Sequence, residues 1–278
     1  MRTIQTKKEL KAFLAPFREQ GKSVGFVPTM GALHQGHLHL VDCAARDNDI
    51  VVASVFVNPV QFNNPGDLAK YPRDLEGDTK KLAVHHVDYI FAPSVEEMYP
   101  KEVKKSYDFG LVDKVMEGKY RPGHFNGVAV VVHRLFNIVE PDKAYFGEKD
   151  FQQLAVIRKL VEQEQIPVNV IGCETIREAD GLAMSSRNQR LTPHERKEAP
   201  FIYATLKNAV ELSKNQTVAE VKRYVLEKLD ETNIKTEYFE IVDSHTLQPI
   251  KSWSESEHPR GCIAAYLGNV RLIDNIAF

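Results

Sequence analysis

Apolar and polar positions follow two textures along the chain. Up to about residue 175, short apolar runs recur at 23–27, 50–57, 88–91, 144–146 and 168–173. Each is too short for a helix and reads as a strand buried on both faces. Between them, at 36–47, 73–85, 126–138 and 150–164, apolar residues return at three- and four-residue spacing, the period of an amphipathic helix. Ahead of all of them, Thr6-Lys-Lys-Glu9 is a capping box opening a helix with the apolar stripe Leu10, Phe13, Leu14 and Phe17. Pro16 inside that stripe predicts a kink or break, and Gly21 the end. Strands alternating with helices predict an α/β fold, a parallel sheet covered on both faces, with ligands at the carboxyl ends of its strands.

Past residue 175 the texture changes. Thr192-Pro-His-Glu195 is a second capping box with Pro at the first helical position, predicting a helix to about Ser213. Thr217-Val-Ala-Glu220 is a third, opening a helix that carries Val221, Val225 and Leu229. Strand-like runs follow at 236–242, 263–267 and 270–273. Helices followed by strands predict a smaller α+β domain, so the expected division is 1–175 and 176–278.

With 278 residues, 43% hydrophobic and 27% charged, the composition is that of an ordinary globular protein. The net charge of −2 provides no global basic field for nucleic acid. The first ten residues contain no apolar core of a secretory signal, and the longest apolar run, Val128 to Val132, is far below the ~20 residues of a membrane span. Cys43, Cys173 and Cys262 form no Cys-x-x-Cys pair and read as small buried hydrophobes in a reducing compartment, so a cytoplasmic location is expected.

The most telling segment is Pro28 to Leu40, which follows the first apolar run and enters a helix. His34 and His37 stand three apart around Gly36, a spacing that puts both imidazoles on one helix face. The first turn is expected to add unpaired backbone N–H groups and the positive dipole end, which suit an α-phosphate. His39 is expected to point elsewhere. At the next strand end, Val55-Phe-Val-Asn-Pro-Val-Gln-Phe62 places the neutral amides of Asn58 and Gln61. Tyr145-Phe-Gly-Glu-Lys-Asp-Phe-Gln-Gln153 supplies Gly147 for close approach, the compact charge of Lys149, Asp150 as a cap or ribose ligand, and Gln153 on the first turn after it. Asp180-Gly-Leu-Ala-Met-Ser-Ser-Arg-Asn188 joins two hydroxyls to a guanidinium suited to phosphate oxygens, and Tyr120-Arg-Pro-Gly-His-Phe-Asn-Gly127 opens a helix with Arg121 and His124, as ligands or as a rigid connector. Asp88 and Asp142 are candidates for Mg²⁺ but fit ordinary structural carboxylates better.

The ordered set Pro-Thr-Met-Gly-Ala-Leu-His-x-Gly-His, Val-Asn-Pro-x-Gln-Phe, Arg-Pro-Gly-His-Phe-x-Gly-Val, Phe-Gly-Glu-Lys-Asp-x-Gln-Gln and Met-Ser-Ser-Arg-Asn resembles the pantothenate synthetase (pantoate–β-alanine ligase) family of His-x-Gly-His nucleotidyltransferases. The resemblance covers nearly the whole chain. It implies a Rossmann-like N-terminal domain, a smaller C-terminal domain that closes over the site, and a homodimer. It implies condensation of pantoate with β-alanine through a pantoyl adenylate, with ATP as co-substrate, Mg²⁺ on its phosphates, and AMP and pyrophosphate released.

Carried over by position, ATP falls to Met30, Gly31, Ala32, Leu33, His34, Gln35, Gly36 and His37, then to Gly147, Glu148, Lys149 and Asp150. Ile176 adds its backbone, and Met184, Ser185, Ser186 and Arg187 take the phosphate end. His37 is the implied catalytic residue, with His34 and Lys149 beside it. Pantoate falls to Gln61 and Gln153, with Asn58 as a further candidate, and Gln61 also meets β-alanine. The rival readings are a nucleotidyltransferase with a phosphorylated acceptor, an RNA-binding synthetase relative and a non-catalytic nucleotide-binding module. The first would display Arg or Lys where Gln61 and Gln153 stand, the second a basic surface, and the third need not keep the histidines, Lys149 and Arg187 together.

Overall fold

A computed structural model describes residues 1–62, 65–69, 71–102 and 105–278. The elements run β1 (Arg2–Ile4), α1 (Lys7–Glu19), β2 (Val24–Thr29), α2 (Gln35–Asp47), β3 (Ile50–Val55), α3 (Pro65–Ala69), α4 (Leu75–Ala83), β4 (Tyr89–Phe91) and α5 (Val95–Met98). Next come α6 (Met116–Tyr120), α7 (His124–Val139), β5 (Lys143–Gly147), α8 (Phe151–Glu164) and β6 (Asn169–Cys173). The chain ends with α9 (Pro193–Glu198), α10 (Phe201–Ser213), α11 (Val218–Asp230), β7 (Ile234–Asp243), β8 (Pro259–Leu267) and β9 (Val270–Ala277). Two compact units result. One comprises Met1–Phe109, Arg121–Glu148 and Val156–Glu174; the other comprises Gly110–Tyr120, Lys149–Ala155 and Thr175–Phe278.

The first unit is built on a six-stranded sheet of order β1-β4-β3-β2-β5-β6, every pair parallel. From β2 the chain steps outward through β3 to β4, then returns to lay β5 and β6 on β2's other side. The strand order therefore reverses between β2 and β5, whose carboxyl ends are Thr29 and Gly147. That reversal is where a parallel sheet opens a ligand crevice. The expected strands are present within one to two residues; β1, only three residues long, has too little pattern to announce itself.

Helix α1 runs unbroken through Pro16. Proline there removes one ladder bond, but Leu10 and Leu14 are fully buried and Phe13 and Phe17 lie on the ring of Tyr89, at 5.9 and 6.3 Å between centroids. Packing along the whole face offsets the lost bond. Pro200 has the opposite outcome: the helix expected from Thr192 to Ser213 is two helices, α9 and α10, meeting at Ala199 and Pro200. Ala199 N–H still bonds Glu195 O, but Pro200 has no donor to continue the ladder.

The second unit lays α10 and α11 against the antiparallel sheet β7-β8-β9. Its core holds Ile202, Leu206, Val221, Val225, Leu229, Phe239, Ile241 and Ile263, the inward residues of both layers. A further cluster takes Met116 from α6 and Phe151 from α8, packed with Tyr238, Val242, Leu247, Cys262 and Ala264. All three cysteines are free and buried.

Candidate active site

In the first unit the site begins where β2 ends. Thr29 is buried; its hydroxyl donates to Ser54 O (2.7 Å) and accepts from Gly31 N–H (3.2 Å). Gly31 and Ala32 then take φ of +83° and +52°, turning the chain sharply toward α2. This turn rests on a residue that no pattern in the sequence suggested. Asp78, on α4 and 1% exposed, accepts from Ala32 N–H and Leu33 N–H, both at 2.8 Å. Lys81 Nζ lies 3.9 Å from the same carboxylate and donates to Leu33 O at 2.8 Å. Asp78 stands 45 residues away from the loop in sequence, on a helix that otherwise looks like a solvated face.

His34 is not on the helix with His37; it is the extended N-cap of α2, at φ −134° and ψ 174°. His34 Nδ1 accepts from Gly36 N–H (3.2 Å) and His37 Nδ1 accepts from His34 N–H (3.3 Å), a capping box made of imidazoles. The rings come together with centroids 4.1 Å apart. Because each Nδ1 accepts, each neutral ring carries its proton on Nε2. Of this loop's backbone N–H groups, those of Gly31, Ala32, Leu33, His34, Gly36 and His37 donate inside the protein, which leaves that of Gln35, the first residue of α2, outside this set. His39 lies away from the pair, its Nε2 3.6 Å from Cys43 Sγ.

After β3, Asn58 caps a short 3₁₀ turn, Pro59–Gln61. Asn58 is 1% exposed and bonds to Val60 N–H, Gly127 O, the Gln61 amide and the Tyr99 hydroxyl. Gln61 is half-buried, its Nε2 2.9 Å from Met30 Sδ, which brings the amide to the start of the histidine loop. His124, 6% exposed, sits 3.0 Å through Nδ1 from Gln61 O and so braces that residue's backbone. Gly127 lets α7 approach the turn: an added Cβ would meet Val60 O at 2.5 Å and Gln61 Cα at 2.6 Å. Gly147, by contrast, closes β5 beside open space, with no heavy atom of the described residues within 4 Å of an added Cβ. Glu148 follows as the last residue before the chain passes to the second unit.

In the second unit, Lys149 has its carbonyl held by Asn275 Nδ2 (3.1 Å) and its ammonium 3.7 Å from Asp150 Oδ1. The two adjacent glutamines divide their roles. Gln152 is buried, donating to Val112 O and Val115 O and accepting from Glu117 N–H, while Gln153 is half-buried. Ile176 O accepts from Met184 N–H at 3.0 Å, joining two of the candidate segments. Arg177 makes a bidentate pair with Asp274 at 2.7 and 2.9 Å and stacks over Tyr203, which anchors the chain between them. Ser185 Oγ caps a 3₁₀ turn, Ser186–Arg190, by accepting from Arg187 N–H at 3.2 Å. Arg187 itself is exposed and makes no ion pair among the described residues.

Asp88 and Asp142 serve the sheet, accepting from Val51 N–H (2.8 Å) and Val24 N–H (2.7 Å). Beyond Asp78, the residues that sequence reasoning missed are Thr29 and Tyr99. Tyr99 donates to Asn58 Oδ1 at 2.8 Å, and burial pushes its hydroxyl up to about 12. Thr29 stands inside the Pro28–Leu40 segment, where nothing marks it as the residue that holds the turn, and Tyr99 falls in no motif.

Comparison with known proteins gives one answer. The chain is 52% identical to a pantothenate synthetase of Porphyromonas gingivalis and 50% identical to one of Bacteroides thetaiotaomicron, in each case over 100% of this chain and 99% of the relative. The crystal structure of pantothenate synthetase from Thermus thermophilus superposes with a TM-score of 0.93 at 48% identity, covering 99% of both chains. A pantoate–β-alanine ligase from Francisella tularensis, complexed with β-γ ATP and β-alanine, superposes at 0.81 with 35% identity over 100% of this chain and 97% of that one. With the family model for pantoate–β-alanine ligase matching residues 2–277, the chain belongs to that family.

Proposed function

We propose that this chain condenses pantoate with β-alanine at the expense of ATP, giving pantothenate, AMP and pyrophosphate. In the first step the acid's carboxylate attacks the α-phosphorus, and the bond from that phosphorus to the bridging oxygen of pyrophosphate breaks. In the second, the amine of β-alanine attacks the acyl carbon of the adenylate, AMP departs with the carboxyl oxygen and the nitrogen loses a proton. Negative charge grows on the α-phosphoryl oxygens and on the leaving group, so the protein's task is positioning and electrostatic stabilisation.

The observation that carries the reading is the imidazole pair at the strand-order reversal, two rings 4.1 Å apart with both Nδ1 atoms tied back. Two imidazoles held this close are suited to donate to oxygens of one phosphoryl group. The other site roles are those the family resemblance implies. His34, His37 and Lys149 serve the α-phosphate, with His37 as principal catalytic residue. The segments Met30–His37 and Gly147–Asp150, with the Ile176 backbone, hold the nucleotide, and Met184–Arg187 take its phosphate end. Gln61 and Gln153 hold pantoate as neutral amides, and Gln61 also meets β-alanine. A bidentate guanidinium would grip the carboxylate harder but blunt its nucleophilicity. Mg²⁺ arrives with the triphosphate as part of that substrate.

A cytoplasmic homodimer completes the proposal, with light scattering as its check. No helix among the described residues is long and apolar enough to cross a membrane. The decisive experiment is ATP–pyrophosphate exchange with β-alanine absent. Exchange should appear only when pantoate is added; exchange indifferent to pantoate would overturn the assignment.

A further inference from the structure

We propose that Gln61 works with one fixed amide polarity, imposed by Asn58 and Tyr99, that turns its NH₂ group outward to the acid's carboxylate. The inference rests on the reading of Gln61 as a pantoate ligand. It makes Asn58 a positioning residue that acts through Gln61 and not on the acid.

The polarity follows from which groups can only donate or only accept. The backbone N–H of Val60 is a donor, so the Asn58 atom 3.3 Å from it is the carbonyl oxygen. The other amide atom of Asn58 is then nitrogen, and its two hydrogens go to Gly127 O and to Gln61, each at 3.1 Å. Gln61 must meet that donor with Oε1, which leaves Nε2 on the side of Met30 Sδ, 2.9 Å away. Tyr99 O–H fills the second acceptor site of Asn58 Oδ1 at 2.8 Å. Burial raises the Tyr99 hydroxyl to about 12, so at neutral pH it stays a donor. A buried Asn58 that turned over would lose both bonds to backbone groups of fixed role, Val60 N–H and Gly127 O. A carboxylate accepts and never donates, so only the nitrogen end of Gln61 can bind one. The same wall with Gln61 reversed would repel its substrate.

The test compares KM for pantoate and for ATP across single variants. Asn58→Asp keeps the shape but faces Gln61 Oε1 with an acceptor, so Gln61 should turn its nitrogen inward. KM for pantoate should then rise about 10-fold or more, the scale of one lost charge-assisted hydrogen bond, with KM for ATP within about 2-fold of wild type. As pH falls and the introduced carboxyl takes a proton it becomes a donor again, so the defect should shrink, a change that general damage to packing would not produce. If that variant fails to fold, Gln61→Glu on the half-buried turn decides. It keeps the acceptor for Asn58 but offers the acid an oxygen, so KM for pantoate should rise by about 100-fold. Tyr99→Phe should give a rise of about 2- to 5-fold. An unchanged KM for pantoate in Gln61→Glu, or in folded Asn58→Asp at neutral pH, overturns the fixed polarity. Gln61→Ala separates the two ideas: if it leaves KM for pantoate unchanged, Gln61 is no ligand and the underlying reading fails instead.

Discussion

On the role proposed for it, His37→Ala takes one of two paired imidazoles from the α-phosphate and should lower the adenylation rate by about 10²-fold, the scale of a lost transition-state donor. The same change strips the acceptor from His34 N–H, so the rate must be expressed per folded molecule. Pre-steady-state pyrophosphate release measures it, and a wild-type burst would take His37 out of the chemistry. Asp78 belongs to the same scale but to a different kind of residue. Asp78→Ala leaves two buried N–H groups of the loop without an acceptor, at about 1–3 kcal/mol each. We expect a lower Tm together with a raised KM for ATP, while Asp78→Asn, which keeps one acceptor oxygen, should lie between. The sequence displayed the histidines and concealed the aspartate for one physical reason. Chemistry-bearing side chains sit together in a short motif, whereas a carboxylate that holds a loop need only be near it in space. Even the histidines were half legible: their spacing showed that they meet, but not that His34 is a cap whose ring accepts a backbone N–H.

Elements were legible where local signals and packing agreed. Thr6, Thr192 and Thr217 each cap the helix that their spacing to a glutamate announced. The two prolines show where local signals run out, since Pro16 is overruled by a face buried along its whole length and Pro200 is not. Polar attachments between elements were invisible from sequence. Arg271 on β9 binds Glu117 on α6 at 2.6 and 2.9 Å and Glu237 on β7 at 2.5 Å, and Tyr238 O–H donates to Glu117 at 2.9 Å. Although burial works against the charge, the two carboxylates raise Arg271 above its ordinary range. Arg271→Met strands a buried Glu117 and should cost about 3–5 kcal/mol, read as a shift of the denaturation midpoint. Arg271→Met with Glu117→Gln should recover part of it.

The turn after β7 gives a pH signature. Burial of Asp243 works against its charge, but hydrogen bonds from Ser256, Thr246 and His245 outweigh it and hold the carboxyl at about 2. A folded pKa below the unfolded value of about 3.9 means the stabilisation is complete above that pH and fades as pH falls toward the folded value. The Tm gap between wild type and Asp243→Ala should therefore be full at neutral pH and close between about pH 4 and pH 2. A gap constant across that range would show that the carboxylate's charge plays no part.

At the scale of the whole molecule, composition located the chain among ordinary globular proteins, and the change of texture near residue 175 falls where the longest segment of the second unit starts, at Thr175. It could not mark that the second unit also takes Gly110–Tyr120 and Lys149–Ala155 from earlier in the chain, because segments this short carry no period of their own. These segments supply Met116 and Phe151 to a buried cluster with Tyr238, Val242, Leu247, Cys262 and Ala264, and Glu117 to Arg271. Losing two buried side chains of this size forfeits about 1.5–3 kcal/mol apiece, before counting the loss of Glu117 as partner of Arg271 and Tyr238. Against a typical total of about 5–15 kcal/mol, that loss is large. Residues 175–278 expressed alone should therefore keep helix and strand content by far-ultraviolet circular dichroism yet bind a hydrophobic dye and melt without a sharp transition. Arg271→Met in that fragment should cost less than in the full chain, because Glu117 is already gone and Glu237 alone loses its partner. A fragment that melts cooperatively at the temperature of the full chain would mean the earlier segments decorate a self-sufficient unit and do not complete it.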